Sequence, residues 1–115
     1  MKGDMTHMNF IKKLLGMEYF VPLVGVKDVA DDQYMISSAG RIKRLYSNKS
    51  SKESVSFLKG SLNAGGKRVV TLGKSTYLVG SLMLYAFGKA DSPRVKYNVR
   101  DNDNSNLTLS NLEVM

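Results

Sequence analysis

Turn chemistry cuts this chain into pieces short enough to favour small sheets. Ala39-Gly40, Gly65-Gly66 and Gly73-Lys74 each stand between short β-prone runs, and such dipeptides mark hairpin turns. "QYMISS" and "RIKRLY" flank the first, and "SFLKGSLNAGGKRVVTLGKSTYLVG" reads as two or three more strands around the other two. "EYFVPLVGV" (18–26) is apolar and β-prone, with Pro22 inside it. Proline has no N–H to give a ladder, so this run fits an edge strand or an extended segment.

The period changes only once in this region. Val79, Leu82, Met83, Ala86 and Phe87 recur at helical spacing, and Gly88 supplies a stop. Beyond it "RVKYNV" alternates as a strand, "RDNDNSN" reads as a turn and "LTLSNLEVM" as a last extended piece. The expected fold class is α+β, a small strand-rich domain of β-hairpins with one internal helix. The 115 residues suffice for one compact domain and not for two, so 18–115 is expected to form a single unit. Ahead of it, residues 1–17 form an N-terminal helical segment, with Met8, Ile11 and Leu15 spaced for one face over 6–16. That face packs on its own domain or docks on a partner. Ser- and Lys-rich "SNKSSKESVS" (47–56) reads as a loop.

Charge is segregated along the chain. Residues 41–100 hold thirteen Lys and Arg against Glu53 and Asp91 alone, a balance of +11. Residues 1–40 balance at −1 and 101–115 at −3, which leaves +7 overall. A basic middle between neutral and acidic ends is the electrostatic footprint of a polyanion binder. The candidate DNA contacts are Arg41, Lys43 and Arg44 in the second hairpin arm, Lys49 in the loop, and Lys67, Arg68 and Lys74 around the later turns. A two-stranded ribbon can enter the major groove, where arginine reads guanine bidentately and lysine pairs with phosphate. Gly65-Gly66 permits close backbone approach or simply makes a tight turn. The six Tyr and four Phe read mostly as core, which disfavours a single-strand stacking platform.

Composition also excludes. With no cysteine and His7 as the only histidine, the chain lacks the ligands of a zinc site, and no disulfide is possible. No apolar run approaches the ~20 residues of a membrane-spanning helix, and "MKGDMTHMNFIKKLLGM" has no signal-peptide core. A cytoplasmic protein with no membrane partner is expected.

Three stretches in order then carry a resemblance. Glu18, Tyr34, Ser37, Gly40, Arg41 and Ile42 match a small module of the form Glu-Trp-x-x-Ile, Tyr-x-Val-Ser-x-x-Gly-Arg-Val. Val79, Leu82, Ala86 and Phe87 match a following helix of the form Val-His-Arg-Leu-Val-x-x-x-Phe. Asp101, Asn106, Asn111, Leu112 and Glu113 match a core of the form Val-x-His-x-Asp-Gly-Asn-x-x-Asn-Asn-x-x-x-Asn-Leu-Glu, with Val95 displaced by two residues. Over about residues 18–115 the chain resembles the HNH homing endonucleases of phages and introns. The resemblance implies an upstream strand-rich region lying on DNA and a C-terminal hairpin of the ββα-metal kind.

It also implies lost chemistry. The family's two histidine positions are Gly80 and Val99 here, and the sequence stops at Met115, where the family continues into a helix with a further metal ligand. Valine cannot activate water, and Asp101 with Asp103 cannot alone enforce an octahedral magnesium site. The expected protein is therefore no enzyme: it has no catalytic residue, no metal and no cofactor, and binds double-stranded DNA as a relic of a nuclease. The alternative partner is a host or phage protein, which the chain would inhibit or adapt, in the cytoplasm of the host cell.

Overall fold

Each turn dipeptide read from the sequence does close a hairpin, and the reasons are local hydrogen bonds. The structure, a computed structural model, describes residues 18–45 and 55–115. The expected helix at 6–16, His7 and the candidate contact Lys49 lie outside the described residues.

Strand β1 (Phe20–Pro22) lies antiparallel to β2 (Tyr34–Ser37), and β2 to β3 (Ile42–Leu45). Between β2 and β3 the Ser37 hydroxyl oxygen accepts from the amides of Ala39 and Arg41, both at 3.0 Å, while Gly40 takes φ +81°. That left-handed conformation suits glycine. β4 (Val55–Leu58) completes the sheet against β3, in the order β1-β2-β3-β4. Val55 and Ser56 thus belong to a strand, where the serine-rich composition had suggested loop throughout 47–56. Pro22 sits in the edge strand, as its missing N–H requires.

The second sheet is β5 (Ser61–Leu62), β6 (Arg68–Leu72) and β7 (Ser75–Leu78), paired in sequence order. The Asn63 side-chain oxygen accepts from the amides of Gly65 and Lys67, each at 2.9 Å, and so builds the Gly65-Gly66 turn. The stretch 55–78 therefore holds four short strands, one more than its sequence suggested.

Helix α1 (Val79–Ala86) follows β7 without a linker. Its C-terminus is a Schellman turn, with Gly88 at φ +78° donating to Tyr85 O and Lys89 donating to Leu84 O. Val79 through Leu84 are all buried, whereas Ala86 and Phe87 are half-buried, so the expected apolar stripe is shifted and widened. The cause is packing on several sides, because α1 touches β2, β6 and β7 together with the C-terminal hairpin. A helix enclosed in this way buries most of its circumference.

That hairpin is β8 (Tyr97–Val99) paired with β9 (Leu112–Val114), with a short 3-10 turn at Leu109–Asn111 leading into β9. Leu23, Tyr34, Ile36, Ile42, Val70, Leu72, Tyr77, Tyr97, Leu107 and Leu112 meet the helix in one core. Among the described residues the fold is a small α+β domain of three antiparallel sheets around one α-helix, and no helix is long and apolar enough to cross a membrane.

Tyr97 fixes the start of the helix. Leu78 at the N-cap has no side-chain cap bond, and the Tyr97 ring and hydroxyl pack directly on Gly80 in the first turn. Burial pushes the Tyr97 phenol above its ordinary pKa, against a smaller opposing effect of the Gly80 backbone. The contact is close: a Cβ on residue 80 would stand 2.3 Å from Tyr97 Cζ and 2.6 Å from its hydroxyl.

Candidate nucleic-acid interface

The pleat of the first sheet decides which cations face outward. Tyr34 pairs with Arg44 and Ile36 with Ile42, and Tyr34, Ile36 and Ile42 are buried. The row Met35, Lys43, Phe57 therefore projects from the opposite face. There the Lys43 ammonium lies 4.1 Å from the Phe20 ring centroid. The Arg41 guanidinium lies 4.6 Å from the centroid of Phe57 and 5.8 Å from that of Phe20. The two rings are 6.3 Å apart and tilted by 51°, and Phe57 is 47% exposed.

Glu18 holds Arg41 in this place. Arg41 Nε donates to both Glu18 carboxylate oxygens at 3.0 and 3.3 Å, and Nη2 donates to Oε1 at 2.5 Å. The Arg41 hydrogen bond is the main cause that holds the Glu18 carboxyl below its ordinary pKa, and in return it raises that of Arg41. Since the folded carboxyl is depressed, the pair contributes fully above about pH 4.5 and is lost as pH falls below it.

Two of the expected contacts, Arg44 and Arg68, are engaged inside the fold. Arg44 is on the inner side, its Nη2 donating to the Tyr34 hydroxyl at 3.0 Å, its guanidinium 5.4 Å from the ring centroid. Arg68 donates to three backbone carbonyls: Gly40 O at 2.6 Å, Leu58 O at 3.1 Å and Lys59 O at 3.1 Å. Burial lowers its pKa. Arg68 is thus a staple from β6 to the β2–β3 turn and the end of β4, with its fork spent on backbone. Neither side chain presents a free guanidinium to a groove.

The remaining pair also separates. Lys67 precedes β6 and Lys74 follows it, so the strand's five residues stand between them, a span of about 17 Å. Lys74 is exposed in a turn whose Gly73 packs on the backbone of Lys27 and Asp28. The Lys67 ammonium lies 4.6 Å from the Tyr97 ring centroid, on a cleft of about 450 Å³ that it shares with Asn98, Arg100, Asn102 and Asn104. Arg100 there pairs with Glu113 at 3.6 Å. The Arg68–Gly40 bond ties the start of β6 to the β2–β3 turn, where Arg41 follows Gly40. Sequence reasoning missed Phe20, Phe57 and Arg100. Alternation alone would have put Lys43 opposite Ile42, but the pairing of Lys43 with Phe57 crosses a long connection that carries no register signal.

In the C-terminal turn, oxygens that resemble metal ligands are engaged by amides. Asp101 Oδ2 accepts from Asn106 Nδ2 at 2.8 Å, and Oδ1 accepts from Asn111 Nδ2 at 2.9 Å and from the Asp103 amide at 2.9 Å. Asp103 Oδ1 accepts from the amide and hydroxyl of Ser105. Asn106, then Asn111, hold the Asp101 carboxyl below its ordinary range. The order of this turn is therefore expected to persist above about pH 4 and to fail as pH drops further, because protonation removes an acceptor. Amide shifts of 101–106 followed by NMR from pH 6 to pH 2 should show it, and Asp101→Asn should lose the order at every pH. An unchanged turn in that variant would free Asp101 for another role. Gly80 packs on the Tyr97 ring, and Val99 is a half-buried strand residue. No protein-family model matches the chain, and no curated protein or solved structure is significantly similar to it.

Proposed function

We propose that this chain is a non-catalytic double-stranded-DNA-binding protein, built like an HNH endonuclease that has lost its active residues. The observation that carries the reading is electrostatic. Arg41 and Lys43 share one open sheet face, and both belong, with Lys67, to a stretch of balance +11. Phosphate contacts of this kind supply affinity and register without sequence information. The valine and glycine at the histidine-aligned positions support the absence of cleavage, since neither side chain can act as a general base.

The corrected geometry reduces the expected number of phosphate contacts. Arg44 and Arg68 drop out, and Arg41 is already paired with Glu18. Each neutralised phosphate adds about 0.9 to the slope of log K against log salt. Lys43→Ala with Lys67→Ala is expected to flatten that slope by roughly 2, read by anisotropy of a labelled duplex between about 50 and 200 mM salt. Lys74→Ala, at the far end of β6, should change it less. No duplex binding at low salt would sink this reading and favour a host or phage protein as the partner.

A further inference from the structure

The outer face of the first sheet carries something a plain phosphate-binding surface does not need, which is two aromatic rings among its cations. In register, Phe57 stands beside Lys43, on the side away from Ile42 and the core. Its ring is half exposed, and Phe20 lies 6.3 Å away on the other side of the sheet's row of cations. A lone exposed phenylalanine means little. Here the ring is joined by a second ring, a guanidinium over its face and an ammonium 4.1 Å from its neighbour.

We propose that this face stacks unpaired nucleobases, so that the DNA taken by the protein includes a single-stranded segment. Phe57 and the Arg41 plane offer the stacking surfaces, and Lys43 takes the adjoining phosphate. The inference rests on the nucleic-acid reading above and narrows it. Every base has a π-face that an aromatic ring or a guanidinium can cover, while in an intact duplex those faces are stacked on one another. Sheet faces that combine rings and cations match such a strand in both chemistry and charge.

Glu18 gives the arrangement its logic. By holding Arg41 Nε and Nη2, it takes up donors with which arginine would fork a phosphate. The guanidinium stays as a flat plate above Phe57, with its side chain 52% exposed. The plate is then suited to stacking and poorly suited to backbone clamping. Among the described residues Lys43 makes no ion pair, and its ammonium lies over the Phe20 ring.

The test compares three labelled ligands with equal phosphate counts: an intact duplex, a duplex with an internal gap of six thymidines, and a single strand. The gapped duplex is expected to bind about 10-fold more tightly than the intact one, from stacking of one or two bases. Phe57→Leu should remove that preference, whereas Phe57→Tyr should keep it. The thermal transition of each variant confirms that the fold is retained, and Leu preserves the apolar bulk. Equal binding of gapped and intact duplex, or a Leu variant that keeps the preference, overturns the inference while duplex binding stands. Such a result would leave the face for a protein or for another part of this chain. Single-strand binding that depends on Phe57, with no duplex binding, keeps the inference and overturns the duplex reading. If no ligand binds, both fall.

Discussion

Arg68→Ala should destabilise the domain by about 2–4 kcal/mol, read as a lower urea midpoint with an unchanged slope. The figure follows from what the side chain holds. Hydrogen bonds from a charged donor contribute roughly 1.5–3 kcal/mol each, and an acceptor left dry costs about as much. Of the three carbonyls, Gly40 O and Leu58 O are in part-buried settings, while Lys59 O can be rewetted. Two bonds therefore dominate. Arg68→Lys should recover less than half, because one ammonium on a flexible stem cannot reach carbonyls on two separate segments. The opposite outcome is easily recognised. If Arg68→Ala keeps full stability and loses DNA affinity, Arg68 is a surface contact after all.

Gly80→Ala should also destabilise, by about 2–3 kcal/mol, although glycine to alanine inside a helix ordinarily stabilises by nearly 1 kcal/mol. The sign reverses because the added carbon would sit 2.3 Å from the Tyr97 ring, which is itself only 3% exposed and cannot swing into solvent cheaply. In a Tyr97→Leu background the same alanine should be neutral or stabilising. A coupling of roughly 2 kcal/mol across this double-mutant cycle would mark the contact as direct. Gly80→His, a still larger side chain at the same contact, should cost more still and produce no magnesium-dependent cleavage. Additive effects at 80 and 97 would show that the ring yields freely, contrary to the packing described.

Most of the fold was legible because it is written in local chemistry. Ser37, Asn63 and the glycines at 40, 66, 73 and 88 close their turns within a few residues, and the helical stripe from Val79 names the one helix of the described residues. Less legible was whatever depended on distant partners. Arg44 looked like an outward contact of the second hairpin arm, yet it is an inward residue whose head reaches Tyr34. Arg68 looked like a turn cation, and its partners lie at Gly40, Leu58 and Lys59, which no local pattern announces. Phe57 looked like core because phenylalanine usually is, and the register to Lys43 turned it outward. The 3-10 turn at Leu109–Asn111 was hidden for a similar reason. Asn111 serves Asp101, ten residues earlier, and that bond sets the backbone just before β9.

The division into three sheets bears on how the molecule comes apart. No strand ladder runs from one sheet to another among the described residues. What joins them is the shared core, the Arg68 staple, and single backbone bonds such as Leu109 N–H to Ser38 O at 2.8 Å. In a continuous sheet each strand protects the next, so opening spreads sideways along the ladder. Here opening has to pass through a few side-chain junctions, and the β8–β9 hairpin makes its own pairing between residues 97 and 114. The hairpin is then a separable unit of local unfolding, docked on α1 through Tyr97 and Leu112. A change at either junction alters how often that unit detaches before it alters the stability of the strands that carry Arg41, Lys43 and Phe57.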